Sequence, residues 1–164
     1  SWARDPAIGA RMINARAETV AEKPAFRAAF RRRRCLIVAD GFYEWRTEPG
    51  RRLKTPFYVR LASGEPFAFA GLWEVWRPDD TPLYSCVIIT TDSNALLTPI
   101  HDRMPVILPR DAYELWLSPH EMRPRDLVHL LRPYPSEEMV AYPVSRTVND
   151  PAVDVPACIE PAQA

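Results

Sequence analysis

The chain has 164 residues, of which 47% are apolar and 26% charged, and this balance is typical of a soluble globular protein with a substantial core. Its net charge is zero, which argues against a generic nucleic-acid coat protein, and no apolar run approaches the roughly 20 residues that span a bilayer. Residues 1–60 nevertheless hold 14 Lys and Arg against 6 Asp and Glu. Most of the basic residues are arginines, which suit bidentate contacts with phosphate, although a GC-rich genome would also supply them.

The hydrophobic patterns predict these elements in chain order: a helix at 21–34, a strand at 35–46 broken at 40–41, a hairpin at 55–76, strands at 83–91 and 104–108, helices at 109–119 and 123–133, and a last strand at 139–145. The first helix is predicted because Phe26 and Phe30 are four residues apart on one face. Strands dominate the middle of the chain and helices flank them. The sequence therefore predicts an α+β fold, a single compact domain at 1–155 with a mixed, barrel-like antiparallel sheet flanked by short helices, and a C-terminal tail at 156–164.

Three cysteines, Cys35, Cys86 and Cys158, are an odd number without the spacing of a metal site. Cys35 and Cys86 lie in apolar strand patterns, where a reduced thiol behaves as a small hydrophobic group. A reducing cytosol is therefore the expected compartment, and neither a metal nor a cofactor is expected. The chain also has no GxGxxG, P-loop, CxxC, HExxH or GxSxG motif.

Glu44 in DGFYEW is a candidate for proton transfer. Strand alternation places it on one face with Phe42, and places Tyr43 and Trp45 on the other. A carboxylate among aromatic side chains is partly desolvated, which raises its pKa toward the range useful for general acid–base chemistry. The alternative is a structural ion pair with an arginine such as Arg46 or Arg16.

His101, Asp102 and Arg103 form a charged triplet between two apolar runs. His101 follows a proline and an apolar residue and precedes a predicted strand, so its ring can be held at the rim of a pocket. Imidazole titrates near neutrality, which suits proton transfer. A plain ion pair in a turn, between Asp102 and Arg103, is the other interpretation.

Two further stretches could contact phosphate. Asn14, Arg16 and Glu18 point the same way if their segment is extended, with Asn14 as donor and acceptor and Arg16 as a phosphate fork. Any exposed strand has this alternation too. The arginine run 31–34 could neutralise a nucleic-acid backbone, or it could complement the dipole at the end of a helix.

Several long blocks resemble the SRAP family, the SOS response-associated peptidases that are also called abasic-site processing proteins. The blocks are INARAETV, RRCLIVADGFYEW, PFAFAGLWE, IITTDSNALLTPIHDRMPVIL and a later VN, and they occur in the family's order from about residue 2 to about residue 155. The resemblance implies one α+β domain with a basic groove for single-stranded DNA. It also implies a cytoplasmic, nucleoid-associated monomer that needs no metal and no membrane.

The resemblance further implies a covalent chemistry. Loss of the initiator methionine exposes an N-terminal cysteine, which reacts with the aldehyde of an abasic site and closes a thiazolidine crosslink to the DNA. By the same resemblance, Asn14 positions the cysteine and substrate, Glu44 handles protons at the amine, and His101 assists sugar ring opening and strand cleavage. Arg16 and Arg103 grip the flanking phosphates and Thr90 adds a hydroxyl contact, while Asp102 orients its neighbours.

The N-terminal cysteine is absent from this sequence, which begins SWARDP without a methionine. We expect a truncated family member, because Asn14, Glu44 and His101 are all present. A noncovalent single-stranded DNA-binding remnant is the alternative, and a true cysteine protease is a third reading, which would need a Cys/His pair.

Overall fold

The structure is a computed structural model, and it describes residues 12–50, 52–77 and 81–162. These residues form two compact units that alternate along the chain. The first unit takes the described residues of 1–38, 67–92 and 105–133, and the second takes those of 39–66, 93–104 and 134–164.

The helices and strands, in chain order, are β1 (Asn14–Arg16), α1 (Arg27–Arg32), β2 (Arg34–Ala39), β3 (Phe42–Arg46), β4 (Thr55–Leu61), β5 (Phe67–Trp76), β6 (Leu83–Asp92), β7 (Arg103–Pro105), β8 (Ile107–Leu108), α2 (Tyr113–Leu117) and β9 (Met139–Pro143). Short 3-10 turns connect many of them. Strands and short helices therefore alternate irregularly, which confirms the predicted α+β class with a mixed sheet.

In the first unit the strands lie in the order β1-β6-β5-β2, with β8 beside β5. β1 runs parallel to β6, and β5 runs antiparallel to it, so the sheet is mixed. Its buried face packs on α1 and α2 through Phe30 and Trp116, whose rings meet edge to face at 6.0 Å. Both side chains are fully buried, and this packing fixes the sheet that carries Asn14, Arg16 and Thr90.

In the second unit, β3, β4 and β9 form an antiparallel sheet with β4 in the centre. Tyr58 of β4 contacts the rings of Tyr43 on β3 and Tyr142 on β9, at 5.3 and 5.9 Å between centroids. Cross-strand aromatic pairs of this kind set the register of a sheet. This register places Glu44 opposite Phe57.

Two helix predictions were wrong in extent or type. The helix predicted at 21–34 is only the six residues of α1, because Pro24 has no N–H to donate and disfavours helix at the residue before it. Residues 123–133 form two 3-10 turns, Pro124–Asp126 and Val128–Leu130, rather than an α-helix. Their apolar spacing is shared by both kinds of helix, so periodicity alone could not separate them.

The hairpin predicted at 55–76 was also wrong. Both arms are strands, and Gly64 supplies a positive φ of 76° between them. However, β4 pairs with β3 and β9, whereas β5 pairs with β6 and β8. The two arms thus belong to different sheets. In the part of the chain that the structure describes, no helix is long and apolar enough to cross a membrane.

Candidate functional site

Asn14, Arg16 and Thr90 lie on one face of the first unit's sheet. Asn14 and Arg16 are exposed on either side of Ala15, which is 1% exposed. The parallel register sets Arg16 opposite Thr90, and the Ala17 N–H donates to the Thr90 carbonyl at 2.8 Å. Because paired residues project to the same face, the three polar side chains share a surface.

Glu18 lies outside β1. β1 ends at Arg16, and residues 17–20 form a turn in which the Val20 N–H donates to the Arg16 carbonyl at 2.9 Å. The predicted alternation of Asn14, Arg16 and Glu18 therefore stops after two residues. This correction follows from the turn bonds, which replace the extended backbone that the alternation needs.

Glu44 and His101 interact in the second unit. Glu44 is half-buried in the middle of β3, and its burial is the main cause of a pKa raised above the ordinary glutamate value. The charges of His101 and Lys54 and the Trp45 backbone amide oppose this shift, while Asp102 adds to it. The net direction is upward, as expected for a carboxylate among aromatic side chains.

The turn before β7 fixes the orientation of the His101 ring. Asn94 begins this turn, where its side-chain oxygen accepts from the Leu97 N–H at 3.1 Å, and the His101 N–H donates to the Leu97 carbonyl at 2.9 Å. The Arg103 N–H donates to Nδ1 of His101 at 3.1 Å. Nδ1 is then the acceptor in the neutral ring, so Nε2 carries the proton and can donate it.

Asp102 lies beside the His101 ring. Its Oδ1 lies 3.3 Å from Nδ1 of His101, but the side chain is 90% exposed. When the ring is protonated, Nδ1–H can donate to this carboxylate or to the Arg103 carbonyl at 3.2 Å. Both protonation states of His101 therefore have partners that hold the same ring position.

The alternative ion pair between Glu44 and Arg46 does not form. Arg46 pairs with Glu48 at 2.6 Å, and its guanidinium lies over the Phe57 ring, 4.8 Å from the centroid. Pairing with Glu48 and stacking on Phe57 engage the Arg46 guanidinium instead. Glu44 is therefore left to interact with His101 and Lys54.

Two members of the arginine run 31–34, Arg33 and Arg34, make structural contacts. Arg34 is buried, at 6% exposure. Arg33 pairs with Glu74 at 2.7 Å, and Arg32 pairs with Glu121 at 2.5 Å. The Arg34 guanidinium donates to five backbone carbonyls, those of Phe30, Arg31, Trp116, Ser118 and His120. Sequence reasoning missed this role because the acceptors are mostly distant in the chain.

Cys35 lacks the environment of a nucleophile. Cys35 is half-buried, and burial together with Cys86 raises the pKa of its thiol to about 11. A raised thiol pKa disfavours the reactive thiolate. Cys86 lies in β6 as predicted and is exposed, whereas Cys158 is buried. Among the described residues, no group of three or more His, Cys, Asp or Glu side chains could hold a metal ion.

The raised pKa of Glu44 predicts a pH-dependent effect on stability. At neutral pH the carboxylate is ionised in both states and only the folded state bears the cost of burying its charge, so Glu44→Gln should raise the free energy of unfolding. The gain should shrink as the pH falls through the folded-state pKa and vanish below about pH 4, where the carboxyl is neutral in both states. Urea unfolding at pH 7 and pH 4 measures the difference, and a gain that is equal at both pH values would contradict it.

The fold is α+β; one unit carries Asn14, Arg16 and Thr90, and the other carries Glu44 and His101. The family model described as "SOS response associated peptidase (SRAP)" matches residues 1–151, and the chain belongs to this family. This confirms the resemblance found in its sequence blocks.

Named relatives are similar over nearly all of the chain. It is 50% identical over 161 residues to the abasic site processing protein YoqW of Bacillus subtilis, covering 97% of this chain and 71% of that protein. It is 33% identical to the abasic site processing protein HMCES of Xenopus tropicalis, covering 97% of this chain and 53% of that one. A crystal structure of a Bacteroides thetaiotaomicron protein matches with a TM-score of 0.89 at 31% identity, covering 99% of this chain and 72% of that one.

Proposed function

We propose that this protein processes abasic sites in single-stranded DNA and that its full-length form does so through a covalent thiazolidine crosslink. The observation that carries the proposal is the interaction between Glu44, whose pKa is raised, and His101, whose ring is oriented through Nδ1. Capture of an aldehyde by an amine needs proton acceptors and donors that work near neutral pH. The names of the relatives supply the substrate class.

The proposed reaction begins with the α-amine of an N-terminal cysteine. The amine attacks the ring-opened aldehyde carbon, and the resulting carbinolamine loses water to give a Schiff base. The thiol then adds across the C=N bond and its proton passes to the nitrogen, which closes the thiazolidine. Glu44 accepts the proton that the amine loses, while Nε2–H of His101 donates to the sugar ring oxygen as it opens and assists strand cleavage. Asn14 positions the cysteine and the substrate.

The peptidase activity in the family's description fits the same scheme. We propose that it is the removal of the protein's own initiator methionine, which exposes the cysteine amine. We propose this step and the crosslink for the form of the protein that carries the N-terminal cysteine. We also propose that the protein acts in the cytoplasm as a monomer and uses no metal or cofactor.

Arg16, Arg103 and Thr90 are proposed to hold the phosphates next to the lesion. Arg16 is exposed beside Thr90, which suits a phosphate fork next to a hydroxyl donor. A groove that reads the backbone rather than the bases fits a lesion that has no base.

This role for Arg16 predicts a change in salt dependence. Arg16→Gln should weaken noncovalent binding to single-stranded DNA and reduce the slope of log K against log salt by about 0.7, the value for one phosphate contact on a single strand. Binding titrations between 50 and 200 mM salt measure the slope. Arg60→Gln is the matched control, because the Arg60 side chain is engaged with the Leu61 carbonyl at 2.8 Å. Equal slopes for the wild type and Arg16→Gln would contradict the contact.

Treatment of the full-length protein with single-stranded DNA that carries one abasic site tests the proposal. Covalent processing predicts a heat-stable adduct. Binding that is disrupted by heat and salt, without an adduct, would favour the noncovalent DNA-binding protein instead.

A further inference from the structure

The C-terminal segment 145–162, here called the C-terminal strap, folds back along the second unit's sheet. The Ala162 N–H donates to the Pro143 carbonyl at 2.8 Å, and Val144 forms an antiparallel bridge with Pro161. The Tyr142 hydroxyl donates to the Ile159 carbonyl at 2.9 Å. The C-terminal end of the strap, at residues 159–162, is therefore hydrogen-bonded to β9 and the residue after it.

The strap also contacts β3, the strand that carries Glu44. The Trp45 indole Nε1–H donates to Oδ1 of Asn149 at 2.8 Å, and the Tyr43 hydroxyl donates to the Cys158 carbonyl at 3.3 Å. The Tyr43 and Trp45 rings lie 6.3 Å apart between centroids. Strand alternation puts both rings on the face of β3 opposite Glu44, so the strap supports this strand from behind.

Asn149 lies at the end of a short turn that is capped by Ser145. It ends the 3-10 turn Arg146–Asn149, in which the Ser145 hydroxyl accepts from the Thr147 N–H at 3.2 Å and the Asp150 N–H donates to the Thr147 carbonyl at 3.2 Å. These bonds fix the backbone that carries Asn149. The amide oxygen is therefore held where the Trp45 indole needs an acceptor.

Trp45 connects the strap to Glu44. Its indole donates to Asn149, and Trp45 directly follows Glu44 in β3, so the position of Trp45 constrains the backbone that carries Glu44. We propose that Asn149 is a positioning residue that, by holding Trp45, places the Glu44 carboxylate beside His101. This inference rests on the proposed function, because it assigns to Asn149 a role in the reaction that Glu44 serves.

The hydrogen bond between the Trp45 indole and Asn149 is tested in the full-length protein by substituting Asn149. Asn149→Ala should slow crosslinking to abasic DNA roughly fivefold to tenfold, the effect of one lost hydrogen bond on a rate. Asn149→Asp keeps the acceptor oxygen and should restore most of the rate. Glu160→Gln, an exposed change elsewhere in the strap, should leave the rate unchanged.

Two further measurements separate positioning from general support of the fold. In a Trp45→Phe background, which lacks the indole donor, Asn149→Ala should have no additional effect on the rate. NMR titration of the Glu44 carboxyl should show that Asn149→Ala changes its pKa, because the burial of the carboxylate and its distance from the charge of His101 both change.

The outcomes distinguish this inference from the proposed function. A wild type that forms no adduct overturns the proposed reaction, while the Glu44 titration still decides whether Asn149 positions the carboxylate. An unchanged Glu44 titration in Asn149→Ala, or an equal loss of rate in the Trp45→Phe background, would overturn the role of Asn149.

Discussion

Glu44→Gln is expected to slow crosslinking of the full-length protein to abasic DNA by about 10²–10⁴-fold, the usual contribution of a general base. Glutamine has nearly the shape of glutamate but cannot accept the proton that the cysteine amine must lose. Gel and mass measurements of adduct formation over time give the rate. Binding to single-stranded DNA with a reduced abasic site, which has no aldehyde, should change less than about twofold, or roughly 0.4 kcal/mol.

Glu65→Gln is the matched control, because it removes the same charge from an exposed turn of the same unit. It should leave both the rate and the affinity unchanged. If Glu44→Gln weakened noncovalent binding as much as it slowed the reaction, Glu44 would be a binding residue and its role in proton transfer would be wrong.

Arg34→Met is expected to destabilise the protein by about 3 kcal/mol or more. The change leaves five backbone carbonyls without their donor, two in buried and three in partly buried hydrogen bonds, and each unsatisfied buried acceptor costs roughly 1–3 kcal/mol before local rearrangement. The fall in Tm should then be about 6–12 °C. Urea unfolding and thermal melting measure both quantities.

Arg32→Met provides the comparison. Arg32 sits in the same run, but its side chain is exposed and pairs only with the exposed Glu121, so its loss should cost less than about 1 kcal/mol. Similar losses for Arg32→Met and Arg34→Met would mean that the buried network does not stabilise the fold as described.

Local patterns predicted the strands and the surroundings of Glu44. Alternation within FYEW placed the carboxylate between aromatic side chains, and the structure confirms the raised pKa that follows from burial. The break at Asp40-Gly41 and the strand at 83–91 were also correct. These features depend on neighbours a few residues away, so a single sequence contains them.

Features that depend on distant partners could not be predicted from the sequence. The two strands within 55–76 were predicted to pair as a hairpin, because a strand's hydrophobic pattern does not show which strand it pairs with. In the structure β4 pairs with β9 instead. Arg34 looked like a basic helix end, yet its acceptors at Trp116, Ser118 and His120 lie more than 80 residues away. The contact of Trp45 with Asn149 spans 104 residues, so the sequence alone gave no reason to connect them.

The most direct test of the account is the intact mass of the full-length protein before and after incubation with single-stranded DNA that carries one abasic site. The covalent mechanism predicts a protein that begins at cysteine and a heat-stable species whose mass is that of protein plus oligonucleotide, less one water. A protein that begins at another residue and forms no adduct would contradict the covalent mechanism.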